Sequence, residues 1–424
     1  MGYFPNKFKT AKIILLTKPN KKGINPLDYR PISLLEVPSK IYEKIINKRL
    51  RHFIESNNAL PNTQHGFRVN RSTETAIAVT QEKIAHALAT KQQCYIVQRD
   101  VAKAFDKVWH EGLLYKLIKL RLPDILIKII STFLNNRSGR ISINNYIGPI
   151  FPIRSGVPQG SAISPTLYSI YTADIPQAAP GSLNIMYADD ITQIITHPSK
   201  SKNIMARHVS REIQAINEYE KRWKIKTNTT KFKIIPLATI KTVPIVVDGQ
   251  IIPYTNEGNI LGLHFNKHGF TCQAKINKAR GKVALYILKR FSYLPTNIKL
   301  HLIKAYVIPV LTYPTYPLNS LAKQSILSLQ QVQNSALRYA YNERYPYQKN
   351  TQELHENAAL QPINIIAYKR GVKIKEKLER IIQDRNYIEI IELNMEDEHG
   401  WFRKPINVLK RAEPKPIYIK NQRD

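Results

Sequence analysis

Asp189 and Asp190 stand side by side in Ile185-Met186-Tyr187-Ala188-Asp189-Asp190-Ile191-Thr192, with apolar residues on either flank. The flanks read as two strands of a β-hairpin with the acids at its tip. Inside a strand, adjacent side chains point to opposite faces; at a tip both can project to one side. A third acid, Asp100, closes the short strand Tyr95-Ile96-Val97-Gln98-Arg99-Asp100. Carboxylates gathered in this way repel one another unless a cation joins them, and hard oxygen ligands select Mg²⁺ or Mn²⁺. Two such ions about 3.5–4 Å apart activate an attacking hydroxyl and stabilise a leaving phosphate group. On its own an Asp-Asp pair in a turn is more commonly a solvated or capping feature, so the surroundings must decide.

The surroundings are basic. Lys and Arg number 64 against 31 Asp and Glu, a net charge of +33 spread along all 424 residues. A field of that sign implies a polyanionic partner, nucleic acid ahead of an acidic membrane surface. The length allows two or three domains, and 43% hydrophobic residues suit a folded protein. Only Cys94 and Cys272 occur, with no CxxC, which excludes zinc knuckles and argues against a disulfide framework. Residues 1–9 are polar and basic, with no signal-peptide core, and no stretch has the length of a membrane span. The expectation is an intracellular protein, in nucleus or cytoplasm, without a membrane partner.

Around the acids, residues 12–17 read as a strand followed by a basic turn at 18–23, and Ser39 as the cap of a helix with Ile41, Ile45, Ile46 and Leu50 at helical spacing. Helices are expected over 73–89, 102–120 and 164–173, and from Ser210 through Trp223. Strands are expected within 141–153, 243–252 and 259–265. From 273 the chain turns helical and basic, with Ile276, Val283, Tyr286 and Phe291 as an apolar stripe opposite Lys275, Lys278, Arg280, Lys282, Lys289 and Arg290. A last helix is expected near 366–382, before the acidic Glu396-Asp397-Glu398 and a Pro/Lys-rich end. This order suits an α+β sheet domain with helical additions.

Six segments in one order resemble the reverse transcriptases of non-LTR retrotransposons, most nearly the jockey-like branch. They are Tyr29-Arg30-Pro31-Ile32-Ser33-Leu34-Leu35; Gln64-His65-Gly66-Phe67-Arg68 with Arg71-Ser72-Thr73; Asp100-Val101-Ala102-Lys103-Ala104-Phe105-Asp106-Lys107-Val108-Trp109-His110; Ser155-Gly156-Val157-Pro158-Gln159-Gly160-Ser161 with Ser164-Pro165; Tyr187-Ala188-Asp189-Asp190; and Leu261-Gly262. A seventh, Leu329-Gln330-Gln331-Val332-Gln333-Asn334-Ser335-Ala336-Leu337-Arg338, resembles the family's thumb. Seven ordered matches are far more specific than any one of them.

The resemblance implies a right-hand polymerase: fingers over 1–94, a palm with an antiparallel sheet and an inserted fingers segment over 95–268, a helical thumb over 269–346, and a tail over 347–424 with no assigned role. It implies extension of a DNA primer by dNTPs on an RNA template, with two Mg²⁺ and Mn²⁺ as a substitute. Asp100 and Asp189 would be the metal-binding acids and Asp190 the third; Lys231 would protonate the pyrophosphate. Phe105 would exclude a ribose 2′-hydroxyl, Gln159 and Gly160 would touch the incoming nucleotide, and Lys18 and Arg30 would clamp its triphosphate. Arg68 and Arg71 would hold template phosphates, and Leu261 and Gly262 would grip the primer; Asp106 and His110 read as structural. Without the resemblance, Phe105 is a core aromatic, Gln159-Gly160 an ordinary turn, and the Lys and Arg residues solvated surface.

The sequence departs from the family at Arg99, where an apolar residue is usual and a charge would disturb the core, and at Phe232, where Thr or Ser is usual. No endonuclease segment precedes the fingers, and the tail is short for an RNase H domain, so a partial copy of an element is expected. The rival readings are an inactive nucleic-acid-binding protein, an RNA-dependent RNA polymerase, which Phe105 opposes, and a group II intron maturase, which fits the thumb segment less well.

Overall fold

The computed structural model describes residues 2–19, 21–144, 146–176, 178–227, 232–237, 242–267, 269–344, 349–382 and 413–418. The chain opens with β1 (Thr10–Thr17), β2 (Tyr29–Leu34), α1 (Val37–Ser56), α2 (Thr73–Ala89) and β3 (Gln93–Asp100). It continues through α3 (His110–Lys119), α4 (Asp124–Leu134), β4 (Arg137–Ile143), β5 (Tyr146–Ile147), β6 (Phe151–Ile153) and α5 (Ser164–Tyr171). Then come β7 (Leu183–Tyr187), β8 (Asp190–His197), α6 (Lys202–Arg222), β9 (Lys233–Leu237) and the small hairpins β10 (Ile245–Val247) with β11 (Gln250–Ile252) and β12 (Glu257–Ile260) with β13 (Leu263–Asn266). The rest is helical: α7 (Thr271–Lys289), α8 (Thr296–Leu302), α9 (Ile308–Thr312), α10 (Thr315–Leu318), α11 (Lys323–Ala340), α12 (Thr351–Asn357) and α13 (Ile363–Ile382). No helix among the described residues is long and apolar enough to cross a membrane.

The central sheet has four antiparallel strands in the order β7-β8-β3-β9. Alternation along each strand divides its two faces. Cys94, Ile96, Ile185, Ile194 and Ile235 pack on Ile77, Ala78 and Ile84 of α2. Tyr95, Val97, Ile195 and Ile234 pack on Met205, Val209 and Ile213 of α6. Each fully buried Ile or Val contributes about 1.5–3 kcal/mol, so the sandwich of α2, sheet and α6 is a stiff platform. A second sheet orders β2-β1-β4-β5 with β6 on β4; there β1 and β4 run parallel. Antiparallel strands and layered helices make an α+β architecture consistent with a right-hand polymerase.

Several boundaries depart from expectation for local reasons. α1 starts at Val37 with Pro38 in its first turn, so Ser39 lies inside the helix and donates to Glu43 Oε1 at 3.1 Å. Its buried face is Ser39, Glu43, Ile46, Leu50 and Ile54, which leaves Ile41 and Ile45 exposed. α6 starts at Lys202, and Ser210 sits mid-helix, donating to the Val246 carbonyl at 3.1 Å. The helix expected over 102–120 is interrupted, because Lys103 takes a left-handed φ of 54° and the carbonyls of Phe105 and Val108 accept from Val157 and Gly156. On α7 the core face is Ala274, Asn277, Gly281, Leu285 and Leu288. Val283, Tyr286 and Phe291 are exposed among the lysines.

α13 is part of the core. Ile374 and Leu378 join the cluster that covers α2, together with Tyr316 of α10. Tyr316 Oη donates to Glu82 Oε1 at 2.7 Å, and burial pushes the Glu82 carboxyl from 4.5 up to about 7. A carboxyl whose folded pKa is raised keeps a proton that the unfolded chain releases, so stability falls as pH rises from about 4.5 to about 7. The stability of wild type relative to Glu82→Gln should therefore decline between pH 5 and 8. Parallel pH profiles in urea unfolding would remove Glu82 as the cause.

Candidate active site

Register places the acids. In the β3–β8 ladder Asp100 lies opposite Asp190, and in β7–β8 Tyr187 lies opposite Asp190. Direct antiparallel partners have Cα atoms about 4.5–5.5 Å apart, so the Asp100 and Asp190 side chains leave one face together. Ala188 takes a left-handed φ of 58°, which turns the chain tightly enough to set Asp189 beside them.

A clamp holds this turn. His65 N donates to the Met186 carbonyl at 2.8 Å, and Met186 N donates to the Thr63 carbonyl at 2.9 Å. The buried Gln64 Oε1 accepts from Ala188 N at 3.2 Å and from Gly66 N at 2.8 Å. A Cβ on Gly66 would stand 2.3 Å from Ala188 N, so only glycine lets the loop approach this closely. His65 Nδ1 lies 2.9 Å from Thr75 Oγ1 of α2, and burial, with Arg71 and Arg68 nearby, pulls its pKa down to about 3. A neutral imidazole thus ties the clamp to the platform.

The carboxylates carried at the turn and on the end of β3 are hard oxygen donors, which suits a hard divalent cation. Among the described residues no three His, Cys, Asp or Glu side chains form a ready-made cage. Mg²⁺ does not require one: it binds through one or two carboxylates and completes its shell with water and substrate phosphates. The donor set therefore fits Mg²⁺ in kind and in number.

The walls interlock. Phe105 stacks on Tyr168 with centroids 5.0 Å apart and meets Phe67 edge-on at 6.5 Å. Burial, and then the charge of Asp189, raises the Tyr168 hydroxyl pKa. Gln159 donates its amide to Asp106 Oδ1 at 2.8 Å, while its carbonyl accepts from Ser33 N at 2.7 Å. Gly160 has φ of 120°, and a Cβ there would meet the Ser33 carbonyl at 2.6 Å. His110 Nε2 lies 2.7 Å from the Gly156 carbonyl. Asp106 and His110 thus fasten the 155–160 loop to the 105–110 segment. The buried Glu43 accepts from Ser161 Oγ at 2.6 Å and Ala162 N at 2.7 Å, fixing the loop's far end. Sequence reasoning missed Glu43; its one signal was an acid four residues after Ser39 and three before Ile46.

The remaining candidates divide. Lys18 donates to the Leu27 carbonyl at 2.9 Å, and its charge reaches Asp106, countering the rise that burial imposes on that carboxyl. Arg30 is exposed on β2, opposite Leu16. Leu261 and Gly262, at φ of 51° and 90°, form the β12–β13 turn; Tyr313 Oη donates to the Leu261 carbonyl, and Gln98 holds the Asn259 carbonyl at 2.8 Å. Arg71 donates to the Asn62 carbonyl and to Asn62 Oδ1. Arg68 departs from its expected part: its guanidinium is buried, bonded to both Glu55 oxygens at 3.1 and 2.7 Å and to the Pro61 carbonyl. It braces the loop instead of facing a phosphate. Lys231 lies outside the described residues, as does the 396–398 acidic patch.

Residues 18–265 match the reverse transcriptase (RNA-dependent DNA polymerase) family, a stretch of more than half the chain that holds every candidate from Lys18 to Gly262. The chain belongs to the reverse transcriptase family. It is 30% identical over 395 residues to the probable RNA-directed DNA polymerase from transposon BS of Drosophila melanogaster, covering 89% of this chain and 43% of that protein. To the RNA-directed DNA polymerase from mobile element jockey of the same organism it is 30% identical over 355 residues, covering 80% and 38%. The chain thus spans less than half the length of these relatives. Apo telomerase from Candida tropicalis aligns over 93% of this chain and 68% of its own at 13% identity with a TM-score of 0.46, a likeness too loose to decide anything. The resemblance read from the ordered motifs is borne out by the family match and the two transposon relatives.

The two residues at which this chain departs from the family pattern meet in space. Arg99 points to the α6 face, away from Asp100, and its Cζ sits 5.0 Å from the centroid of Phe232. Its guanidinium donates to Gln193 Oε1 at 3.2 Å, Asn217 Oδ1 at 2.8 Å, the Ile213 carbonyl at 2.7 Å and Glu220 Oε1 at 3.3 Å. Burial lowers the Arg99 pKa to about 10, with Glu220 resisting, so it stays charged at neutral pH. The charge is paired, and the expected disturbance of the core is absent. Arg99→Leu should destabilise the protein by about 3–5 kcal/mol by stranding Glu220, and adding Glu220→Leu should recover part of that loss. A denaturant midpoint unmoved by Arg99→Leu would show that the network does not support β3.

Proposed function

We propose that this chain is an RNA-directed DNA polymerase that joins dNTPs to the 3′-hydroxyl of a DNA primer on an RNA template. The observation that carries this is the opposition of Asp100 and Asp190 across β3–β8, with Asp189 at the clamped turn, inside the family-matching stretch. Asp100 and Asp189 would hold two Mg²⁺, or Mn²⁺, with Asp190 as third donor. When bound, these ions supply the Lewis acidity that activates the primer hydroxyl and neutralises the leaving pyrophosphate.

The chain's own residues do the positioning. Phe105, fixed between Tyr168 and Phe67, is a wall against which a ribose 2′-hydroxyl would clash. Gln159 and Gly160 present backbone to the incoming nucleotide. Lys18, just past the end of β1, and Arg30, on the neighbouring β2, suit its triphosphate, Lys as a point charge and Arg as a fork. The Leu261-Gly262 turn supports the primer end, and Lys231 would protonate pyrophosphate. Fingers over 1–94, palm over 95–268 and thumb over 269–346 follow from this assignment. On the thumb, Lys278, Lys282, Tyr286 and Lys289 line a cavity of about 640 Å³ between α7 and α11, a basic and aromatic surface suited to a primer–template duplex.

Asp189→Asn should reduce extension of an RNA-templated DNA primer at least about a thousandfold while leaving primer–template affinity intact. Extension at the wild-type rate would sink the assignment. Phe105→Ala should raise ribonucleotide incorporation relative to deoxynucleotide by about tenfold or more in single-turnover assays. Unchanged discrimination would take the gate away from Phe105.

A further inference from the structure

Phe105 is held between two rings from distant parts of the chain. Tyr168 of α5 stacks on it at 5.0 Å, and Phe67, on the loop that leaves the catalytic clamp, meets it edge-on at 6.5 Å. Phe67 is exposed and takes a left-handed φ of 60°. A bulky side chain keeps that conformation only where its surroundings impose it. Gly66, packed on Ala188, fixes one side of the loop. The other side is fixed from α1.

Along α1, Glu43, Asn47, Arg51 and Glu55 follow one another at intervals of four, so their side chains form one ridge of the helix. Each holds a segment that flanks Phe105. Glu43 accepts from Ser161 Oγ and Ala162 N, just ahead of α5. Asn47 Oδ1 accepts from Thr166 Oγ1 at 2.7 Å, in the first turn of α5 and two residues before Tyr168. Arg51 Nη2 donates to the Phe67 carbonyl at 3.0 Å, and the Glu55 oxygens accept from Arg68 Nε and Nη2 at 3.1 and 2.7 Å. On the adjoining face Ile46, Leu50 and Ile54 share an apolar core with Tyr168, and Phe105 packs against it. From Glu43 to Glu55 the helix rises about 18 Å, a fixed length between the α5 wall and the Phe67 wall.

Resting on the reading of Phe105 as the wall that excludes a 2′-hydroxyl, we infer that the α1 ridge positions this gate. Asn47 and Arg51 set the separation of the Tyr168 and Phe67 rings, and so how closely Phe105 approaches the sugar of the incoming nucleotide. They act through Phe105 and not by touching the nucleotide. The test uses the full chain, one RNA-templated DNA primer, and kcat/KM for a dNTP and for the matching rNTP. Loss of folded protein lowers both values together, so their ratio reads the gate and not stability. Asn47→Leu with Arg51→Leu should lower the dNTP-to-rNTP ratio by about threefold or more. Arg51→Leu alone should give a smaller fall in the same direction, and serves where the pair does not fold. In the Phe105→Ala background the same substitutions should lower the ratio no further, because the ring they position is gone. A ratio unchanged by the α1 substitutions, with Phe105→Ala lowering it, would overturn the inference and keep the gate. An equal fall with and without Phe105 would also overturn it, by giving the ridge a direct part in holding the nucleotide. A ratio unchanged by Phe105→Ala itself would remove the gate and its positioning together.

Discussion

Everything in the site depends on the register between β3 and β8. Side chains alternate along a strand with period 2, so a slip of one residue would send Asp100 to the α6 face and break its opposition to Asp190. The register is fixed from both sides of the sheet. Ile96 and Ile194 seat on α2, Val97 and Ile195 on the α6 side, and Arg99 ties β3 to α6 through Ile213, Asn217 and Glu220. Gln64 and Gly66 then hold the Ala188 turn from outside the sheet. A sheet made rigid by burial presents three carboxylates at a place where burial stops.

Electrostatics runs through the molecule in two forms. Three buried cations are ion-paired: Arg68 with Glu55, Arg99 with Glu220, and Lys116 with Asp174 at 2.5 Å. The positive surplus is left on surfaces, along α7 and in a groove between α1 and α13, where a polyanion can meet it. Much of the +33 net charge is thus carried on concave faces.

Much of the site was legible in the sequence, because short-range pattern and motif order carry it. The hairpin around Asp189–Asp190 follows from apolar flanks, and the helix expected over 73–89 has those bounds, closed at its start by a Ser72 cap that the structure adds. What was not legible lies in long-range polar pairing. Counting apolar residues put Ile41 and Ile45 in the core, whereas Glu43, held by Ser161 and Ala162, 118 and 119 residues away, turns α1 the other way. The same count misread the face of α7, where close approach at Gly281, not bulk, marks the packed side. Arg99 looked like a defect because its partners, Glu220 and Phe232, come from distant segments. No local rule shows that Arg68 is committed to Glu55, or that α13 returns to the α2 core.

The central claim is that Asp100, Asp189 and Asp190 hold the divalent ions of a polymerase. Electron paramagnetic resonance of Mn²⁺, titrated into the full chain with primer–template and a non-reacting dNTP analogue, tests it most directly. The account predicts two tightly bound Mn²⁺ ions in wild type and loss of tight binding in Asp100→Asn. Equal stoichiometry and affinity in the two proteins would contradict it.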